Sequence, residues 1–266
     1  MESKRIVEMI KANPFAIKTI ENPSDELKRL AIKKNGLILQ YIENPTTEME
    51  ELALQENIRA IKFIKKPTEE RMLRAIKEGW SFLQYFKNPS ERVVKAAIMQ
   101  SGWAIQYVEN PSEALQLLAI QKNEDALKYI QNPTERVQEE AVRRRYDALR
   151  YIDSPTNKVE ALAVKQNEAA IQFIQELTKE KILRFLKINS LVMKYVLDKI
   201  SKEEAEQALK EAVSDEEVEE KYIRDLLRCT TIHKKSNRMP IDKLLLIAQY
   251  GSKKAKKIAV DERLDG

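Results

Sequence analysis

NPSERVVKAAIMQSGWAIQYVENPSEALQLLAI, residues 88–120, contains one complete 22-residue repeat and the first half of the next. Prolines recur every 22 residues without insertion or deletion, at Pro23, Pro45, Pro67, Pro89, Pro111, Pro133 and Pro155. Asparagine precedes five of them, and Lys66 and Ser154 precede the other two. A fixed period of this length predicts a stack of similar small units and not a globular domain with a central pocket.

The repeat has small, aliphatic and aromatic positions at fixed places, which we number as slots 1–22 from the asparagine. Slot 10 is alanine in seven repeats, slots 11 and 18 are aliphatic in almost every repeat, and slot 20 is aromatic in eight. Alanine lets two helices approach closely where leucine would hold them apart. We expect the aromatic row to pack between neighbouring repeats, with the tyrosine hydroxyls reaching solvent.

Each repeat is predicted to form two short helices. Serine or threonine in slot 3 is followed by acidic residues, which is typical of a helix N-cap. An alternative places the cap on the asparagine, with proline as the first helical residue. Asparagine in slot 14, with Gly36, Gly79 and Gly102 near it, is expected to end the first helix in the left-handed conformation. A second, shorter helix would run from about slot 15 to slot 21, where the next proline stops it.

Stacked units of this kind predict an all-α fold: a right-handed α-solenoid of nine two-helix repeats with a C-terminal helical cap. The repeat domain spans 1–197, and its first repeat lacks the Asn-Pro pair. The cap with its basic segment spans 198–266, and we expect three or four helices there. Ser201 with Glu204 and Ser214 with Glu217 match capping boxes. Pro240 is expected to open a further helix that ends at Gly251.

The composition contains few of the groups that catalysis needs. One histidine, His233, and one cysteine, Cys229, leave no second candidate for a nucleophile–base pair or a cysteine metal site. The five glycines are not clustered, so no phosphate-binding loop is expected. No apolar run approaches the length of about 18 residues that spans a bilayer. These features predict a cytoplasmic, non-enzymatic protein without cofactor, metal or membrane partner.

Departures from the repeat pattern mark candidate binding residues, since packing alone predicts uniformity. Both tryptophans, Trp80 and Trp103, occupy slots 15 and 16 of consecutive repeats. Tryptophan, tyrosine and arginine are enriched at interface hot spots. We therefore predict that a partner protein binds through the tryptophans and through Arg71, Arg74, Arg143, Arg144, Arg145 and Tyr146.

Nucleic-acid binding is the alternative prediction. Among the 18 residues in slots 12 and 19 of the nine repeats, 11 are basic and none is acidic. Such rows suit an extended anionic backbone, although the net charge is only +5. The residues assigned to this alternative are Lys18, Lys62, Lys128, Arg150 and Lys194 in the repeats and Lys234, Lys235, Lys253 and Lys254 in the cap.

The motif in residues 88–120 resembles a tandem repeat of uncharacterised bacterial and bacteriophage proteins, and the resemblance covers residues 1–197. The layout is also similar to leucine-rich-repeat-variant and HEAT-like solenoids. The chain departs from the motif at Lys66, Ser154, Glu176 and Leu177. The resemblance implies no reaction and no cofactor. Its occurrence in bacteriophage proteins implies a partner from the host, such as a protein of a defence system that a phage protein would inhibit.

Overall fold

The computed structural model describes residues 4–264, and within that range the secondary structure is entirely helical. The chain divides into two compact units, one up to Tyr129 and one from Ile130. In each unit consecutive repeats pack on each other, which is the arrangement of a helical solenoid. The boundary at 197/198 and the handedness of the stack stay predictions.

The repeat consists of one α-helix and one 3-10 helix, so the prediction of two helices is confirmed and the second one is refined. In the first unit these are α1 Lys4–Ala12, η1 Pro14–Thr19, α2 Asp25–Lys34, η2 Gly36–Tyr41, α3 Thr47–Glu56, η3 Ile58–Phe63, α4 Glu69–Glu78, η4 Trp80–Tyr85, α5 Glu91–Gln100, η5 Gly102–Tyr107, α6 Glu113–Lys122 and η6 Glu124–Tyr129.

The second unit continues the repeat and then adds the cap. Its elements are α7 Glu135–Arg144, η7 Tyr146–Tyr151, α8 Asn157–Gln166, η8 Glu168–Phe173, α9 Lys179–Ile188, η9 Ser190–Val192, α10 Met193–Val196, α11 Lys202–Ser214, α12 Glu220–Arg228, α13 Lys243–Tyr250 and α14 Lys253–Leu264. Nine α-helices paired with 3-10 helices therefore occur in residues 4–192.

Slot 3 supplies the N-cap of the α-helices, as predicted. The hydroxyl of Ser90, for example, accepts a hydrogen bond from the backbone N–H of Val93. The same geometry recurs in α2 to α9. The alternative cap on the slot 1 asparagine is wrong for these helices. The helices run from slot 4 to slot 13, and the alanine in slot 10 is buried in all seven repeats that contain it.

The left-handed residue lies in slot 1 and not in slot 14, which corrects the prediction. Asn22, Asn44, Asn88, Asn110 and Asn132 have φ between 48° and 52° and are the only non-glycine residues with positive φ in 4–264. Asparagine tolerates this conformation better than most residues. The slot 14 residues instead have extended backbone, with φ of −158° at Asn35. In most repeats the slot 14 side chain caps the 3-10 helix that follows, as when Asn35 Oδ1 accepts from the N–H of Leu37 at 3.0 Å. Gly79 and Arg145 make no such bond.

The cap covers the last repeat with four helices. α11 packs on α9, α12 packs on η9, and α13 and α14 complete the cluster. The buried hydroxyl of Tyr222 donates to the carbonyl of Leu186 at 3.0 Å, and burial raises the pKa of Tyr222. The capping box of Ser201 and Glu204 is confirmed. The second predicted box is wrong, because α12 begins at Glu220 and the Ser214 hydroxyl donates back to the carbonyl of Glu211.

Candidate protein-binding surface

In the second helical segment of the repeat, slot 19 is exposed in every repeat, and slot 16 is exposed at Phe15, Arg59, Ser81 and Trp103. With three residues per turn, slots 16 and 19 lie on one face, while slots 17 and 18 point into the core. In η5, Ala104 and Ile105 are buried and Trp103 and Gln106 are exposed. The amide of Gln106 donates to the carbonyl of Trp103 at 2.9 Å, which connects the two exposed slots. The residues at positions 103 and 106 of η5 can therefore vary without disturbing the core.

Both tryptophans belong to neighbouring 3-10 helices of the first unit, because η4 packs against η5. Trp80 is half-buried and stacks on Tyr107 of the next repeat, with ring centroids 6.2 Å apart and an interplanar angle of 28°. Trp103 is 42% exposed and Tyr85 is 45% exposed. We call η4 and η5, residues 80–85 and 102–107, the tryptophan surface.

The tryptophan surface contains no acidic or basic side chain. Its sequences are WSFLQY and GWAIQY, and the glutamines occupy the slot that holds lysine or arginine in five other repeats. The amide of Gln84 donates to the carbonyl of Ser81 at 2.8 Å, so it is already hydrogen-bonded. A surface with exposed aromatic rings and few unsatisfied polar groups loses little on desolvation.

Arg71 and Arg74 of α4 lie against the preceding helix. Arg71 is only 9% exposed and pairs with Glu50 at 2.6 Å and with Glu51 at 3.3 Å. Its guanidinium also donates to the carbonyl of Thr47. Arg74 pairs with Glu51 at 2.6 Å, and this hydrogen bond lowers the pKa of the Glu51 carboxyl. Arg71 therefore packs between repeats, and we do not include it in the binding surface.

Arg143, Arg144 and Arg145 of the second unit also form ion pairs with acidic residues of their own repeat. Arg143 bonds Glu139 at 2.9 Å and Arg144 bonds Glu140 at 2.8 Å, each four residues apart on α7. Arg145 bonds Asp147 at 2.7 Å, and this hydrogen bond lowers the pKa of the Asp147 carboxyl. Tyr146 contacts the ring of Phe173 in the next repeat, at a centroid distance of 6.5 Å. The structure thus places these four residues in a separate unit from the tryptophans.

The basic rows differ between the two units. In the second unit all five basic residues of slots 12 and 19 contact a carboxylate, namely Arg143, Arg150, Lys165, Lys187 and Lys194. Among the slot 12 and slot 19 cations of the first unit, only Lys11 has an ion pair with a described residue, Glu8. Lys18, Lys62 and Lys128 instead lie over aromatic rings, with the Lys18 ammonium 3.7 Å from the centroid of Tyr41. Lys234, Lys235, Lys253 and Lys254 of the cap are exposed.

Two further exposed side chains of the first unit were not predicted as binding residues from the sequence. Tyr85 belongs to the aromatic row that was predicted to pack, and Met99, 48% exposed, replaces a polar residue in slot 12. The signal for Met99 was visible, since it is the only apolar residue in that slot.

No helix within residues 4–264 is both long and apolar enough to cross a bilayer. Comparison with models of known protein families, with curated proteins and with solved structures found no match to the chain.

Proposed function

We propose that the protein is a non-enzymatic binding protein that engages a partner protein through the tryptophan surface. The observation that carries the proposal is the pair of adjacent, uncharged 3-10 helices with Trp103 and Tyr85 exposed. Exposed aromatic residues on a rigid scaffold contribute large contact area at low entropic cost. A solenoid also offers an extended surface on which further contacts can surround such anchors. In line with the resemblance to bacteriophage repeats, a bacterial host protein, such as a defence protein, is the first partner class to test.

We expect Trp103 to contribute the largest share of the binding free energy. Hot-spot tryptophans contribute about 2 kcal/mol or more to binding, which corresponds to a loss of about 30-fold in affinity on truncation to alanine. Trp103 is suited to the test because its side chain is partly exposed and makes no aromatic stacking contact with another described ring. Trp80 is a poorer probe, since its loss would also remove the stack on Tyr107.

The test compares Trp103→Ala with Tyr41→Ala as a matched control. Tyr41 is similarly exposed and lies in the same unit, on η2. A photo-crosslinking amino acid at Ser81, an exposed position of η4, identifies the proteins that contact the surface in bacterial lysate. The affinity of each purified candidate is then measured by calorimetry.

We expect one crosslinked protein whose affinity falls about 30-fold with Trp103→Ala and less than about twofold with Tyr41→Ala. Equal affinity of the wild type and Trp103→Ala for every crosslinked protein would refute the proposed surface. Circular dichroism of both variants establishes that they keep the helical fold.

Nucleic-acid binding by the first unit is a second candidate, favoured by one observation. Lys18, Lys62 and Lys128 have no carboxylate within 4.0 Å among the described residues, and each lies over an aromatic ring. Cations alternating with aromatic rings are the arrangement that binds single-stranded nucleic acid. The slot 12 and slot 19 cations of the second unit are paired with carboxylates, so the basic row proposed to bind nucleic acid is confined to the first unit.

The dependence of binding affinity on salt concentration tests the nucleic-acid-binding candidate. Anisotropy titrations with generic single-stranded DNA and RNA are performed with the wild type and with Lys18→Gln, Lys62→Gln and Lys128→Gln combined. Replacing three phosphate contacts should reduce the slope of log affinity against log salt by about 2 to 3. The control combines Lys34→Gln, Lys95→Gln and Lys122→Gln, which make the same charge change on exposed α-helical positions of the same unit. No binding at about 50 mM salt, or equal slopes in both triple variants, would eliminate this candidate.

A further inference from the structure

The cap contains a groove between α13 and α14 that no part of the described chain fills. Its volume is about 930 Å³, at the upper end of the range for ligand pockets. The apolar part of its lining includes Leu227, Ile241, Ile247 and Ala259. At its margin, Leu245 is 54% exposed and Val260 is 58% exposed. These two side chains are the most exposed large apolar residues in the described chain.

Most of the charged residues that line the groove are basic. Lys234, Lys256 and Arg263 line it, and no carboxylate of the described residues lies within ion-pair distance of them. The two acids of the lining are already engaged within the cap. Asp242 caps α13 by accepting from the N–H of Leu245, and Glu262 pairs with Arg224 and Arg228.

Lys243, the fourth cation that lines the groove, is hydrogen-bonded within the cap. Its ammonium donates to the carbonyls of Leu227 and Cys229 at 2.6 and 2.7 Å, so it ties α13 to the end of α12. Desolvation lowers the pKa of Lys243, while the surrounding carbonyls hold it in place. Among the described residues, Lys234, Lys256 and Arg263 therefore remain as the cations of this apolar groove that have no ion pair.

We infer that this groove binds an acidic amphipathic helix of a partner protein. Docking of such a helix places its apolar residues at i, i+3 or i+4 and i+7 in the groove and its acidic face against the cations. The dimensions agree: α13 has eight residues and is therefore about 12 Å long, and residues i to i+7 of a bound helix span about 10 Å. Charge complementarity selects an acidic helix over a basic one.

This site goes beyond the proposed function and does not depend on it, because the tryptophan surface belongs to the other unit. The two sites differ in chemistry as well. The tryptophan surface is uncharged, whereas the cap groove combines apolar walls with free cations.

The experiment measures fluorescence anisotropy of a labelled helical peptide with the full chain. The peptide has about 14 residues, which form about four turns, with leucines at i, i+4 and i+7 and glutamate at most other positions. A scrambled peptide of the same composition and a peptide with lysine for glutamate serve as controls. We expect the acidic amphipathic peptide to bind at least about tenfold more tightly than either control. Equal or absent binding of all three peptides overturns the proposal.

Variants locate the binding to the groove. Lys256→Glu combined with Arg263→Glu should weaken the acidic peptide at least about tenfold and should allow the lysine peptide to bind. Leu245→Glu should weaken it similarly, and this exposed side chain can be replaced without disturbing the core. The control combines Lys253→Glu with Lys257→Glu, exposed cations of the same helix that do not line the groove, and should change the affinity less than about twofold.

Three further results would also overturn the inference. Equal peptide affinity of the groove variants and the control variant would place the peptide elsewhere. Sedimentation with anionic phospholipid vesicles that is lost in the groove variants, while the peptide does not bind, would assign the groove to a lipid surface. A dimer of the wild type that dissociates on Leu245→Glu would assign it to a second copy of the chain. Circular dichroism and thermal unfolding confirm that each variant is folded.

Discussion

Replacing Gly102 by alanine should separate two repeats of the first unit. A Cβ atom on Gly102 would lie 2.1 Å from the carbonyl oxygen of Ala119 and 3.0 Å from the backbone N of Asn123. Both are backbone atoms of the next repeat and cannot rotate away. Normal contact requires about 3.5 Å, so η5 and α6 must move apart by more than about 1 Å.

The cost follows from this displacement. Overpacking of a closely packed interior typically costs about 1 to 3 kcal/mol. The movement also stretches the hydrogen bond in which the Gly102 N–H donates to Asn123 Oδ1 at 2.7 Å, and a bond of this kind contributes about 1 kcal/mol. We therefore expect Gly102→Ala to lower the free energy of unfolding by about 2 to 4 kcal/mol.

Gly79→Ala is the matched control, with the same change in the same unit. The nearest atoms to its added Cβ are 3.9 Å away, in side chains, and its φ of 172° is open to any residue. We expect no loss and up to about 1 kcal/mol of added stability, because alanine restricts the unfolded chain. Urea unfolding followed by circular dichroism measures both variants. The reasoning fails if both substitutions have the same effect, because then the close approach at Gly102 would not limit packing.

Three further predictions concern the repeat and its ion pairs. Because Asn88 has a φ of 52°, Asn88→Ala should cost about 1 kcal/mol and Asn88→Gly less than about 0.5 kcal/mol, as measured by urea unfolding; equal costs would contradict a conformational role. Glu160 is 2% exposed and bonds Lys181 at 2.6 Å, so Glu160→Gln should cost about 1.5 to 3 kcal/mol, whereas the exposed, unpaired Glu180→Gln should cost less than about 0.5 kcal/mol. Hydrogen bonds from Lys158 and Arg145 lower the pKa of Glu139 and Asp147 below their ordinary values of 4.5 and 3.8. The two ionised carboxylates therefore contribute to the free energy of unfolding above these pH values, and the contribution is lost as the pH falls below them. Urea unfolding at a series of pH values should show stability decreasing in this acidic range, and decreasing less in Glu139→Gln. A free energy of unfolding that does not change with pH would contradict this prediction.

The sequence predicted most of the repeat because its buried slots obey simple packing rules. Alanine in slot 10, aliphatic residues in slots 11 and 18 and a hydroxyl in slot 3 all have the roles that their chemistry indicates. The position of the second helix is confirmed, and its 3-10 type is a refinement that the sequence did not specify. Slots 18 and 21 are apolar and three residues apart, which is the period of a 3-10 helix, but a segment of six residues also fits about 1.7 α-helical turns.

Two features could not be read from the sequence, because the same residue type fits two conformations or two environments. Asparagine occupies slots 1 and 14, and it is suited both to positive φ and to capping a helix through its side chain. Only the path of the chain decides that slot 1 takes the first role. Arg71 was singled out as an unusual residue, but its partners Glu50 and Glu51 lie one repeat earlier, and their contact depends on how the repeats stack.

The repeat separates the residues that stabilise the stack from those that can recognise a partner. Slots 10, 11 and 18 are buried between helices, so substitutions there change the distance between repeats. Slot 19, which holds glutamine, lysine or arginine, is exposed in every repeat, and slot 16 is exposed at Arg59 and Trp103 but half-buried at Leu37 and Asp147. Differences between repeats therefore have little cost in packing where these slots are exposed. For that reason we propose that the side chain of Trp103, which is 42% exposed, contacts a partner.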